Sequence, residues 1–160
     1  MRSDCQWCFN KLRLADGDKD IAAVFGDVLV TRPGQTAIDF AAIAPRPSEE
    51  HANPWWHAVH WGCDGLVRDL RVEEDVLRRG QVVFDTRFSP VVPAVIRLSG
   101  LAARALELYY LNPEADFCGE LYVWPNGSHL QSHYQPLDKA PSRLLNELGW
   151  EPEDDEEGSP

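Results

Sequence analysis

A chain of 160 residues with 44% apolar content can bury one sizeable core and is short for two, so a single domain is expected. The formal net charge is −11, but Glu151, Glu153, Asp154, Asp155, Glu156 and Glu157 supply six of the 26 acids, leaving 20 against 15 Lys and Arg, and the body carries −5. Lacking a concentrated basic stripe to release counterions, the chain is a poor direct ligand for nucleic acid; lacking both an apolar run near the roughly 20 residues that cross a bilayer and a signal-peptide core, it is expected in the cytoplasm and off the membrane.

Leu12 and Leu14 alternate with Lys11 and Arg13 as in a strand with one wet face, and Asp16-Gly17-Asp18 breaks it and caps a short helix expected over 18–27. Thr31-Arg32-Pro33-Gly34 is turn chemistry, after which Ala37 to Ile43 reads as a second strand ended by Pro45 and Pro47. The stretch from Pro45 to Asp64, rich in Trp, His and Pro, reads as an irregular insert, and loops of that length are more often functional than accidental. Leu66, Leu70 and Val72, then Val82, Phe84 and Phe88, alternate as two strands joined through Arg78-Arg79-Gly80, although Leu66, Leu70 and Leu77 also fit a helical stripe. Ser89-Pro90 starts a helix whose Val91, Val95, Leu98 and Ala102 recur at helical spacing, with Pro93 tolerated in the first turn, and which is expected to run to about Arg104.

Strands over 106–111 and 117–124 follow, separated by a turn at Asn112-Pro113. Pro125-Asn126-Gly127 then turns the chain into a further strand over 128–134. Leu144, Leu145 and Leu148 build a short helix over 140–149, and residues 150–160 are too acidic and too poor in apolar groups to fold. The expectation is an α+β domain over 1–149 with an aromatic insert at 45–65 and a disordered acidic tail at 150–160. Its order of elements describes a split βαβ sandwich, helices on one face of an antiparallel sheet, with an added C-terminal hairpin and short helix. The core is expected from Leu12, Leu14, Ile21, Phe40, Phe84, Val95, Ile96, Leu106, Leu108 and Leu121.

Several residues form one composite pattern: Trp7-Cys8-Phe9-Asn10-Lys11-Leu12, Ile38-Asp39-Phe40 with Pro45 and Pro47, Trp56-x-x-x-His60-Trp61-Gly62, Phe84-Asp85-Thr86-Arg87-Phe88-Ser89-Pro90-x-x-Pro93, Leu106-Glu107-Leu108-Tyr109-Tyr110, Phe117-x-Gly119 and Tyr122. Over roughly 7–127 this pattern resembles the YubB ferredoxin-like family of small plasmid- and phage-borne bacterial proteins. The resemblance implies a ferredoxin-like fold and a mobile-element setting, and it brings no catalytic residue or cofactor with it.

Candidate sites are few. Trp55, Trp56 and Trp61, flanked by His57 and His60, read either as an aromatic pocket or protein-binding hot spot, or as anchors that hold the insert onto the sheet; the anchor reading is preferred because large aromatics are mostly buried. Strand alternation sends Lys11, Arg13, Asp85, Arg87, Glu107, Tyr109, Glu120, Tyr122 and Trp124 to the sheet face opposite the apolar set, as a catalytic constellation or, more simply, a solvated face with cross-strand pairs. RNA recognition on that face is disfavoured by Glu107 and Glu120 and by the lack of an RNP1-like motif. No phosphate-binding glycine loop, HExxH or GxSxG is present, and no catalytic residue is assigned.

The expected role is therefore a non-catalytic acidic binder of a host or defence protein complex with a basic surface. It would inhibit CRISPR or restriction machinery through the open face (Asp85, Arg87, Glu107, Tyr109, Glu120, Tyr122), the insert (Trp55, Trp56, His60, Trp61) and the tail acids Glu153, Asp154, Asp155, Glu156 and Glu157. The competing reading is a small-molecule or nucleotide-binding protein or enzyme with a pocket beside the Trp-rich insert.

No cofactor or metal is expected. Cys5-x-x-Cys8, His57-x-x-His60-x-x-Cys63 and His129-x-x-x-His133 do not combine into a four-ligand zinc set, and packed thiols and surface imidazoles account for them. Dialysis against a strong chelator should leave the thermal transition where it was, and stoichiometric zinc in freshly purified protein would contradict this.

Overall fold

Alternate burial along Trp7–Leu14 puts Cys8, Asn10, Leu12 and Leu14 on one face and Trp7, Phe9, Lys11 and Arg13 on the other. This strand, β1, lies in the interior of a six-stranded antiparallel sheet. The structure is a computed structural model and describes residues 6–15, 25–26, 28–32, 35–45, 54–64, 66–73 and 80–151. After β1 come β2 (Leu29–Arg32), β3 (Gln35–Ile38), α1 (Phe40–Ile43), α2 (Pro54–His60), β4 (Val67–Glu73), β5 (Gln81–Arg87), α3 (Val92–Ala102), β6 (Leu106–Asn112), β7 (Phe117–Val123) and β8 (His129–Tyr134). A 3₁₀ turn at Leu137–Lys139 and α4 (Ser142–Glu147) complete the order.

The sheet runs β4-β5-β1-β6-β7-β8, and β2 pairs with β3 in a separate two-stranded ribbon. Both β5 and β6 are antiparallel to β1, so they are parallel to each other, and α3 carries the chain between them across β1. That is a split βαβ unit. With β4 on one side and the β7–β8 hairpin on the other, the architecture is mixed α+β around an open sheet larger than the four strands usual in a ferredoxin-like fold.

One face of the sheet carries the main core. Leu12, Leu14, Phe84, Leu106, Leu108, Tyr110 and Leu121 pack there under Ala94, Val95 and Leu98 of α3, with Phe40, Ile43 and Trp61 closing one end. Eight of the ten expected core residues are buried, Ile96 is half-buried, and Ile21 falls outside the described residues. Between α3, Phe25, Val28 and the sheet remains an apolar void of about 10 Å³, room for about one water molecule and no ligand.

Three expectations change. The strand expected over 37–43 ends at Ile38: Asp39 N–H bonds the Val28 carbonyl at 2.7 Å, Thr31 and Arg32 are strand residues of β2 paired with Thr36 and Gln35 of β3, Pro33 and Gly34 lie outside the described residues, and Phe40 and Ile43 at helical spacing become α1. The insert is not irregular throughout, because α2 forms where Trp56 and His60, and His57 and Trp61, stand four residues apart and stack at centroid distances of 4.3 and 4.9 Å. Residues 16–24, which include most of the helix expected over 18–27, lie outside the described residues. Finally, the helices do not share one face. The C-terminal segment places Leu137, Leu144 and Leu148 on Leu111 and Cys118, on the opposite side of the sheet from α3, because Leu144 and Leu148 make an apolar stripe that the occupied α3 face has no room for.

Leu108 is fully buried at the centre of β6. Its truncation to Ala should lower unfolding free energy by about 2 to 5 kcal/mol in chemical denaturation, and an unchanged midpoint would refute the register of β6.

Candidate functional site

The junction between β5 and α3 is held by buried polar groups. Asn10, on the core side of β1, donates through Nδ2 to Thr86 Oγ1 at 2.9 Å and to the Cys8 carbonyl at 3.1 Å, while its Oδ1 accepts from the Val91 N–H at 3.3 Å at the start of α3. Thr86 Oγ1 in turn donates to the Ser89 carbonyl, and Asn112 donates to the Phe88 carbonyl at 2.9 Å. Asn10 thus satisfies an N–H that a helix start otherwise leaves open, the other bonds satisfy turn and strand carbonyls, and together they tie three strands to one turn.

The Trp-rich insert is anchored to this junction. Trp61 is buried, donates from its indole N–H to the Ala44 carbonyl at 2.9 Å, and packs on Phe40 and Trp56. Gly62 adopts φ +88°, and a side chain there would collide with the Pro90 carbonyl and the Pro93 ring, so the close backbone approach requires glycine. Trp56 is half-buried beneath the exposed ring of His60, whose Nδ1 sits 3.0 Å from the Trp56 carbonyl. The backbone of Trp55 belongs to α2. The insert is thus a packed anchor along Trp56 and Trp61.

The opposite face carries the charged set. Strand register brings Lys11 beside Tyr109, Arg13 beside Glu107, Tyr109 beside Glu120, and Glu107 beside Tyr122, while Asp85 and Arg87 stand beside Phe9 and Trp7. All nine residues assigned there by alternation share this face, but they divide into two groups. Near β4, Arg68 bonds Asp85 at 2.9 Å and covers the Trp7 ring at 4.1 Å, and Arg87 pairs with Asp64 at 2.6 Å. Near β6, the face is partly roofed by α4.

That roof is clasped by charge. The Glu147 carboxylate accepts from Lys11 Nζ at 2.7 Å and Arg13 Nη2 at 2.6 Å, and Lys11 also donates to the Glu147 carbonyl. Arg13 and the Tyr109 hydroxyl both donate to Glu107 Oε1, and Arg143 holds both carboxylate oxygens of Glu120. Burial pushes the Glu147 carboxyl up, but the hydrogen bonds and charges of Lys11 and Arg13 outweigh it and hold it below its ordinary value of 4.5. Sequence alternation found the strand residues of this set and missed Arg143 and Glu147, whose place depends on which face α4 chooses.

Beyond α4, the open face ends in an exposed apolar cluster. The rings of Tyr122 and Trp124 meet at a tilt with centroids 4.7 Å apart, Leu130 stands opposite Tyr122, and Leu130 and Trp124 are 68% and 37% exposed. On the core side of the same hairpin the Tyr110 ring lies across Gly119, where any side chain would overlap it. The Tyr110 hydroxyl reaches Gln131 Nε2 and His133 Nδ1, each at 2.9 Å.

Burial pushes the Cys8 thiol up to about 12 and that of Cys118 up to about 11, which makes both poor thiolate nucleophiles. Cys63 is a buried thiol as well. Among the described residues, no three of His, Cys, Asp and Glu gather as ligands, and no helix is long and apolar enough to cross a membrane. Cys5 and the tail acids Glu153, Asp154, Asp155, Glu156 and Glu157 lie outside the described residues. The site these groups define is a surface, aromatic at the β7–β8 hairpin and ion-paired over the rest of the open face. No family model, curated protein or solved structure matches the chain.

Because the folded carboxyl of Glu147 titrates below its unfolded value, its contribution to stability is complete above 4.5 and is lost as pH falls through the folded value. Glu147→Gln should therefore be less stable than the parent at neutral pH, by about 1 kcal/mol, with the gap closing in acid when denaturation is followed across pH. Equal stability of the two proteins at neutral pH would show that α4 is held by packing alone, and a gap that persists in acid would show that the carboxylate charge is not its source.

Proposed function

We propose that this chain is a non-catalytic acidic protein of a mobile element, phage or plasmid, that acts in the cytoplasm by binding and inhibiting a host defence or nucleic-acid-handling complex of the CRISPR or restriction kind. The observation that carries the binding role is the cluster of exposed Trp124 and Leu130 with half-buried Tyr122 at one end of the sheet. Aromatic groups of this kind supply most of the energy at protein interfaces. The mobile-element setting rests on the resemblance to the YubB family, and so does the reading of the fold as ferredoxin-like, which the order β4-β5-β1-β6 with its split βαβ crossing supports.

The net charge of −11 favours a partner surface that is basic, such as a groove kept for nucleic acid, and complementary fields speed such an encounter. A small-molecule or enzymatic pocket beside the insert draws less support. Trp61 is buried with its N–H bonded, and Trp56 lies packed between His60 and Trp61.

A partner recovered from the native host by affinity capture should bind less tightly as salt rises, since exposed charges act over about 8 Å at physiological ionic strength. Charge reversal of acidic surface residues should slow association more than it hastens dissociation, and deleting residues 151–160 separates the tail from the body. A complex indifferent to salt and to both acidic changes would refute the groove-blocking mode.

A further inference from the structure

The two edges of the sheet are built differently. On β4 the register breaks between Arg68 and Arg71, Asp69 takes φ +58°, and Arg68, Asp69, Arg71 and Glu73 line the strand. Bulges and charges of this sort stop an edge from pairing with another chain. The opposite edge, β8, has none of them. Its sequence His-Leu-Gln-Ser-His-Tyr contains no acid, lysine, arginine or proline. Its register with β7 is unbroken, and His129 through His133 are all exposed.

The turn shows which backbone groups that edge offers. Trp124 N–H bonds the Ser128 carbonyl, Gly127, at φ +94°, donates to the Trp124 carbonyl, and the Ser128 N–H bonds Asn126 Oδ1, so Trp124 is a hydrogen-bonding position of β7, set against Gly127 and Ser128 together. Such positions alternate along an antiparallel ladder. Leu130, Ser132 and Tyr134 therefore turn their peptide groups toward β7, while His129, Gln131 and His133 turn theirs outward. Six residues give an edge about 20 Å long, and beside it on the open face stand Leu130, Tyr122 and Trp124.

Resting on the binding role proposed above, we infer that β8 takes up an extended segment of the partner as a seventh strand, one whose alternate residues are apolar and whose flanks carry Lys or Arg. Main-chain bonds to residues 129, 131 and 133 give the affinity, and contact with Leu130 and the Tyr122–Trp124 pair selects apolar side chains. Charge decides the occupant. Two copies of a chain of net charge −11 repel each other, so the repulsion that keeps this bare edge from pairing with itself draws in a basic segment.

The test uses the full chain and a synthetic Lys-flanked peptide of alternating Val and Thr. Amide hydrogen exchange should slow at His129, Gln131 and His133 when the peptide is added, while Leu130 and Ser132, already bonded to β7, change little. His129→Pro, which removes an outward N–H at the first residue of β8, where an edge strand can spare it, should weaken peptide binding by about tenfold, the worth of one or two hydrogen bonds. Leu130→Lys, a change at an exposed side chain, should weaken it as well and guards against misfolding of the proline variant.

Absence of peptide binding, binding that leaves the three amides unprotected, or equal binding of a Glu-flanked peptide would overturn the inference. So would protection of these amides by self-association without peptide. A host partner held equally well by both variants would sink the edge and leave the binding role standing, whereas failure to recover any partner from the host sinks the role itself.

Discussion

The amide of Asn10 is the constraint on which the arrangement turns. It is fully buried in an interior strand and reaches β5, its own strand and the first turn of α3. A slip of β1 by one residue would send this amide to the other face, away from Thr86 and Val91, and leave buried polar groups unpaired, a loss that apolar packing does not recover. The register of β1, the path of the β5–α3 turn and the crossing of α3 are thus one decision. Everything that the sheet positions, from the insert under Pro90 to the hairpin at the far edge, inherits it.

The two faces of the sheet are closed by different physics. On the α3 side, burial of leucine, valine and aromatic side chains dominates, and its polar groups are spent on fixing turns. On the other side, a short helix with buried Leu144, followed by buried Leu148, covers part of a charged surface, and Glu147 neutralises Lys11 and Arg13, which would otherwise lie half-buried beneath it. The cover stops short of the hairpin tip, so Tyr122 and Trp124 meet solvent although they belong to the same row as the roofed residues.

Much of this was legible in the sequence. Period-2 alternation placed β1, β5, β6 and β7 and sorted their side chains onto the correct faces, except for Phe88, which lies past the end of β5 and is exposed, and the spacing of Val91, Val95 and Leu98 placed α3, because each signal is a direct image of burial. The turn Pro125-Asn126-Gly127 announced β8. The failures occurred where burial was not the local rule. On β4, an edge strand, Leu66 and Val72 are exposed, and alternation there describes little. The α2 helix is held by ring stacking at i, i+4 between Trp and His, a helical spacing hidden by a composition that looks like loop. Neither the choice of face by α4 nor the identity of the edges is local at all, since strand order appears in no window of sequence. For that reason the aromatic insert, conspicuous as text, is packed at Trp61 and half-buried at Trp56, while Leu130, an ordinary residue in an ordinary strand, is exposed.

Tyr110 and Gly119 form a pair of another kind. The missing side chain on β7 is the berth for a ring from β6, and the hydroxyl at its far end is tied to β8. Three strands are stitched by one residue whose accommodation depends on the emptiness of another. The two positions therefore share a mutational fate. A larger residue at 119 is tolerated only in a background that has already given up the tyrosine, and restoring the tyrosine is then barred. Sequence divergence at this spot has a required order of steps, and reversion must retrace them in the opposite order.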